Sequence, residues 1–154
     1  MTTRVLRQRP ALLAVGAVAC LAGCGGGPVP VDSPTLPRAA ATACSALIEA
    51  LPGTVGDEQR REVDGRFGAA YGDPPILVRC GVSRPAELMT DCLSVNGVDW
   101  YFQGEGKQDR IAWTVGREPV VQVRIPARYG VSADPLVDVG PAVERATTRI
   151  SRCR

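Results

Sequence analysis

Cys24 is the residue whose surroundings point most directly to a chemical modification. It ends the stretch LAGC, in which two small residues separate Leu21 from the cysteine. The preceding segment, Ala11–Gly23, carries no charge and follows three arginines near the amino terminus. Its 13 residues fit a signal peptide, whereas a helix that spans a bilayer needs about 20. We therefore predict removal of residues 1–23, lipidation of the Cys24 thiol, and anchoring at the extracytoplasmic face of the cell membrane.

Four more cysteines follow, an even number that suits two disulfide bonds in an exported chain. They form no CxxC pair of the kind that metal and redox sites use, so no metal and no cofactor are expected. Cys44 and Cys153 fall on the apolar faces of two predicted helices. Cys80 ends one predicted strand and Cys92 begins the next. These placements predict the pairs Cys44–Cys153 and Cys80–Cys92.

The sequence contains no histidine, which excludes Ser-His and Cys-His nucleophile pairs and histidine-bound zinc. The Walker, Gly-x-Ser-x-Gly and Ser-x-x-Lys motifs are also absent from it. Catalysis by carboxyl groups alone, as in glycosidases, stays open as an alternative. The acids that could converge for it are Asp73, Asp91, Asp99 and Glu118.

Four arginines on or beside predicted strands form a second candidate site, namely Arg79, Arg117, Arg124 and Arg128. Their guanidinium groups could bind a carboxylate or a phosphate. The other interpretation is that they solvate strand faces and protect sheet edges. Without residues 1–23 the chain has 15 basic and 16 acidic residues, a formal charge of −1. Such a balance gives no electrostatic reason to expect nucleic acid as a partner.

Apolar spacing predicts one helix near each end of the folded region. The stretch CSALIEAL, which starts at Cys44, places apolar residues at helical intervals, and ADPLVDVGPAVERATTRISRC does the same up to Cys153. Between them the apolar period changes to two, and Asn96-Gly97 predicts a tight hairpin with Val95 opposite Val98. This order favours an α+β, two-layer fold with an antiparallel sheet of about four to five strands. Its amino- and carboxy-terminal helices then lie on one face.

The predicted organisation has three parts. A lipoprotein signal peptide covers residues 1–23, and a Gly/Pro-rich tether covers residues 24–41. The tether contains too little apolar surface for a core, and its prolines favour an extended chain about 40 Å long. A single α+β domain is expected over residues 42–154.

Three blocks of the sequence, YGDPPILVRCGV, NGVDW and GREPVVQVRIPARY, resemble an uncharacterised actinobacterial family of small exported proteins and lipoproteins. The resemblance covers about residues 43–150, with Tyr71 where the family typically has tryptophan. It implies the same compartment and fold. The family has no assigned activity, so the resemblance implies no catalytic residue.

These observations predict a non-catalytic binding or interaction module at the cell envelope. Its expected partners are the membrane, through the lipid anchor, and an envelope protein or wall component. The alternative is a small carboxylate-dependent envelope hydrolase. Two neighbouring carboxyl groups with raised pKa values in a deep pocket would favour the hydrolase. A shallow apolar or arginine-lined groove would favour binding.

Overall fold

The structure is a computed structural model and describes residues 27–85 and 92–153. The predicted signal peptide over residues 1–23, the predicted lipidation site Cys24 and the acid Asp91 lie outside these ranges. Within the two ranges, neither helix is long and apolar enough to cross a membrane.

Two α-helices and twelve short strands are found in the described part of the chain. The helices are α1 (Arg38–Ala50) and α2 (Asp134–Ala146), and a 3-10 helix (Ala127–Tyr129) precedes α2. The strands, in chain order, are β1 (Val29–Pro30), β2 (Thr54–Val55), β3 (Glu58–Arg61), β4 (Val63–Asp64), β5 (Gly68–Tyr71), β6 (Ile76–Cys80), β7 (Cys92–Val95), β8 (Val98–Gln103), β9 (Arg110–Thr114), β10 (Arg117–Glu118), β11 (Val121–Ile125) and β12 (Thr148–Arg149).

Eight strands form one sheet in the order β2-β3-β5-β6-β11-β9-β8-β7, and each neighbouring pair is antiparallel. A mixed α/β fold with two helices and a mostly antiparallel sheet is thus confirmed. The predicted number of four to five strands was too low. The additional strands include β5, whose four residues GAAY are all buried. Burial on both faces removes the alternation of apolar and polar residues by which a half-exposed strand is recognised.

Both helices pack on one core with the sheet. Cys44 and Leu47 of α1 are buried, as are Leu136 and Val139 of α2. They share a cluster with alternating residues of the central strands, which are Ile76, Val78, Cys80, Val121, Val123 and Ile125. Full burial of one such large aliphatic side chain contributes roughly 1.5–3 kcal/mol. This shared core fixes α1 and α2 relative to the centre of the sheet.

The predicted hairpin is confirmed with its register, because Val95 pairs with Val98 and Leu93 pairs with Trp100. Asn96 and Gly97 both have positive φ angles, as a two-residue hairpin turn requires. Trp100 is fully buried, as its place in the alternating apolar pattern predicts, but Leu93 is 57% exposed. The reason is that β7 is the edge strand of the sheet.

Helix α2 is shorter than predicted, since it ends at Ala146 rather than continuing to Cys153. The Thr147 hydroxyl donates to the carbonyl oxygen of Val143, and the chain then becomes extended. Strand β12 pairs with β10 in a separate two-stranded sheet, so residues 147–153, here the C-terminal segment, are extended rather than helical. Two successive threonines at the helix end favour this extended path, because β-branched side chains suit strands.

The predicted tether over residues 24–41 differs from the structure in its described part. Strand β1 pairs in parallel with β4, and Val29 and Val31 are buried. A Cβ atom at Gly68 would overlap the Val31 side chain, so glycine is needed there for the chain to approach. Residues 27–37, here the N-terminal segment, therefore pack on the domain, and α1 begins at Arg38, before the predicted boundary.

The predicted disulfide pairs are wrong. The structure joins Cys44 to Cys80 and Cys92 to Cys153. Cys44 on α1 and Cys80 on β6 both face the core and are fully buried. Cys92 lies on the opposite face of the hairpin from Leu93 and Trp100. The extended C-terminal segment brings Cys153 to it. The mistaken pairing followed from placing Cys153 on a helix, where it would have faced Cys44.

Candidate functional site

A groove of about 610 Å³ lies between the first turns of α1 and the C-terminal segment. The loop after β6 and the link from β10 to β11 form its other walls. Its volume is typical of small-molecule sites, which usually enclose about 300–1,000 Å³ of mainly apolar space. The lining residues are Leu36, Pro37, Ala39, Ala40, Ala43, Gly81, Val82, Glu118, Pro119, Val120, Ala146, Thr148 and Ile150.

Helix α1 forms one wall of the groove with three small residues, Ala39, Ala40 and Ala43. Its larger apolar residues, such as Leu47, point to the core instead. The methyl groups of the alanines leave the space open along the helix and offer no hydrogen-bonding group. This wall is therefore smooth and apolar.

The N-terminal segment closes one end of the groove through Leu36. Its side chain lies where a Cβ atom at Gly81 would stand, and Gly81 has a φ of +78°. Both the close approach and the backbone conformation require glycine at this position. The loop after β6 can thus pass directly under Leu36 and contribute Val82 to the lining.

The C-terminal segment forms the wall opposite α1. The Ile150 N–H donates to the carbonyl oxygen of Gly116 at 2.8 Å, and the Cys153 N–H donates to Asp99 Oδ2 at 3.0 Å. The Cys92–Cys153 disulfide joins the end of the segment to β7. Ile150 stays 54% exposed beside the groove. Three attachments along the segment therefore keep this wall in place.

Arg117 stabilises the start of the same wall from beneath. Its side chain is 4% exposed, and Nη1 donates to Thr147 Oγ1 at 3.2 Å while Nη2 lies 3.6 Å from Glu144 Oε1. Burial lowers the pKa of Arg117, and the nearby Arg149 cation lowers it further, while the Glu144 carboxylate raises it. Arginine remains protonated in proteins at neutral pH, so the guanidinium acts as a fixed cation under the segment.

Glu118 is the charged member of the groove lining. Its Oε1 lies 3.9 Å from Nη2 of Arg84, and the two side chains are 67% and 39% exposed. The pair therefore lies at the rim and in contact with water, where such pairs are weak. The rest of the lining is mainly apolar, with Thr148 as its other polar side chain.

The four arginines predicted as an anion site do not converge on one point. Arg79 and Arg124 lie on neighbouring strands of the same sheet face, but Arg79 donates to Gln122 and lies 3.4 Å from Asp32, while Arg124 pairs with Asp109. Arg117 and Arg128 contact other parts of the domain. Arg117 is under the C-terminal segment, and Arg128 donates to the Asp73 carbonyl oxygen. An anion would have to displace a protein partner at each arginine.

The acids considered for hydrolysis also have separate partners. Asp73 lies 3.8 Å from Arg61, Asp99 accepts the Cys153 N–H, and Glu118 lies near Arg84. Of the three candidate acids that the structure describes, Glu118 alone lines the groove. Their arrangement gives no support to the hydrolase alternative.

These features define a class of protein: a mixed α/β domain with two disulfide bonds and an apolar groove at the end of its sheet. The chain belongs to the family described as "Protein of unknown function (DUF3515)", whose sequence model matches residues 10–151. This match confirms the resemblance to a family without an assigned function. No curated protein and no solved structure matches the chain.

Proposed function

We propose that this protein is a lipid-anchored binding module at the extracytoplasmic face of the cell membrane, and that it binds an apolar group in the groove. The observation that carries the binding role is the groove itself, with its open volume of about 610 Å³ and its mainly apolar lining. The anchoring role rests on the LAGC pattern that ends at Cys24. The envelope partner predicted from the sequence is then a molecule that presents an apolar group to the groove.

The proposal includes a two-layer arrangement in which α1 and α2 cover one face of the sheet. Support comes from the core cluster, to which both helices and the central strands contribute. In this arrangement the groove lies at the rim of the helix layer, where α1 meets the C-terminal segment. A rim position suits binding, because a ligand can enter without separating the helices from the sheet.

Cys24→Ala tests the anchor. The variant should stay an unlipidated precursor or be released from the cell, and fractionation with mass analysis measures both. Recovery of a variant that matures normally and stays with membranes would contradict the lipoprotein assignment.

Ala43→Trp tests the groove, because the indole would fill it from the α1 wall. Binding of the apolar dye anilinonaphthalene sulfonate to the full chain should fall at least fivefold. Ala46→Trp is the matched control, since Ala46 is an exposed residue of the same helix that does not line the groove. Equal dye binding by the two variants would exclude the groove as the binding site. Cooperative thermal unfolding of both verifies that each is folded.

A further inference from the structure

We propose that the groove takes one acyl chain of a phospholipid from the bilayer in which the protein is anchored. This inference rests on the proposed function and names the class of ligand. Three features carry it: the length of chain between the anchor and the domain, the end of the sheet at which the groove lies, and the chemistry of the lining.

The first feature is the short distance between Cys24 and the folded domain. The Val29 N–H donates to the carbonyl oxygen of Glu62 at 2.9 Å, and the Val29 side chain is buried. Five residue steps separate Cys24 from Val29, and at about 3.3–3.6 Å per extended residue they span at most about 18 Å. A lipid on Cys24 therefore keeps this edge of the domain next to the bilayer surface, rather than about 40 Å away as a free tether would allow.

The second feature is the position of the groove at the same end of the sheet as the N-terminal segment. Val31 packs on Gly68, which pairs with Arg79, and the groove begins at Gly81 directly after β6. The opposite end of these strands carries the pair Tyr71 and Ile76. From Val31 the segment continues to Leu36, which is part of the lining. From Val29, which is buried, to Leu36 the described chain thus runs from the side of the proposed anchor to the groove.

The third feature is the chemistry of the lining. A polypeptide in the groove would bring N–H and C=O groups that need hydrogen-bonding partners. The polar side chains available in the lining are Glu118, at the rim, and Thr148. An acyl chain needs no such partner, and it gains from contact with the alanine methyl groups of α1 and with Val120 and Ile150. The lining therefore favours a hydrocarbon chain over a peptide.

The test uses the full lipidated protein in vesicles of phosphatidylglycerol and phosphatidylethanolamine with a trace of phospholipid that carries a diazirine in one acyl chain. Flotation first verifies that the protein is bound to the vesicles, and irradiation then cross-links it. Peptide mapping should place adducts between Ala39 and Ala43 and around Ile150. Ala43→Trp should reduce these adducts at least tenfold, whereas Ala46→Trp should leave them unchanged.

Adducts confined to residues next to Cys24, or equal adducts in both tryptophan variants, would overturn the inference. Dye binding that depends on the groove without acyl adducts would overturn it too, while leaving the binding module intact. Cross-linking of a polypeptide from a cell extract to the groove in place of the lipid would likewise overturn the acyl-chain inference and leave the binding module intact. Failure to float with the vesicles would contradict the anchor at Cys24, and with it both proposals.

Discussion

Cys44 and Cys80 connect α1 to the centre of the sheet through a disulfide in which both residues are fully buried. The second disulfide, between Cys92 and Cys153, lies at the edge strand and is half-exposed on both sides. The two bonds therefore differ in access to solvent. A thiolate must reach a sulfur atom to exchange with it, so this difference has measurable consequences.

Mild reduction of the folded protein should open the Cys92–Cys153 bond first. Under a low concentration of dithiothreitol without denaturant, alkylation followed by peptide mapping should label Cys92 and Cys153 well before the buried pair. Mapping of the unreduced protein provides the control, because it must yield the linked peptides Cys44–Cys80 and Cys92–Cys153. Earlier labelling of Cys44 and Cys80 would contradict the buried position of that bond.

Removal of the buried disulfide by Cys44→Ala together with Cys80→Ala should cost about 4 kcal/mol of unfolding free energy. The bond closes a loop with a sequence separation of 36 residues, and the chain-entropy model gives roughly 3 kcal/mol for 15 residues and 4.7 kcal/mol for 100. Urea unfolding measures the loss. A loss below about 1 kcal/mol would mean that the bond does not constrain the unfolded chain as the structure implies.

Arg117→Met should destabilise the fold by about 2 kcal/mol. The reason is that a buried cation with hydrogen bonds to Thr147 is lost from beneath the C-terminal segment. Arg149→Met is the matched control, because Arg149 lies at a similar distance from Glu144, 3.8 Å, but is 36% exposed. Its loss should cost less than about 1 kcal/mol. Urea unfolding of both variants compares them, and equal effects would contradict a special role for Arg117.

Asp109 should make stability depend on acid pH. The backbone N–H of Ala127 and the guanidinium of Arg124 hold the pKa of this carboxyl group below its ordinary value of 3.8. The ionised carboxylate therefore stabilises the fold fully above that value. As the pH falls below 3.8, the carboxyl group is protonated in the unfolded chain before it is protonated in the folded protein. The stabilisation is therefore lost progressively, and it is gone once the pH has fallen below the lower pKa of the folded state.

Asp109→Asn should accordingly cost about 1 kcal/mol at pH 7, an amount limited by the partial exposure of the pair, and less than that at pH 2. Urea unfolding at the two pH values measures the difference. Asp73→Asn is the control, since Asp73 is 89% exposed and lies 3.8 Å from its arginine, and should change stability by less than about 0.5 kcal/mol. The same loss for Asp109→Asn at both pH values would exclude an ionic contribution.

Local sequence patterns predicted the elements that local interactions determine. Asn96-Gly97 specified the hairpin and its register, and the spacing around Leu47 and Val139 specified the core faces of the helices. Elements that depend on distant partners were missed. Val29 and Val31 look like part of a linker until β4 pairs with them, and β5 has no alternation because it is covered on both faces.

The groove was missed for the same reason. The alanines of α1 are visible in the sequence as a run of small residues, but such a run is equally typical of an ordinary helix. Its other walls come from the loop after β6, from the link between β10 and β11, and from the C-terminal segment, all far apart in the chain. Predicting it would have required the end of α2 at Ala146, which also determines where Cys153 lies and which cysteine it pairs with.

If Cys24 carries the proposed lipid anchor, the pairing of β1 with β4 also changes how tightly the groove needs to bind its proposed ligand. With Val29 fixed on the domain, five residue steps connect it to Cys24, and a short linker of this kind gives an effective concentration in the millimolar range. A lipid-binding site that meets lipid at such a concentration would be about half occupied when its dissociation constant equals that concentration. The same domain without its anchor would then show almost no affinity for dilute lipid in solution. Occupancy would be a property of the membrane-bound state, and release from the membrane would empty the site.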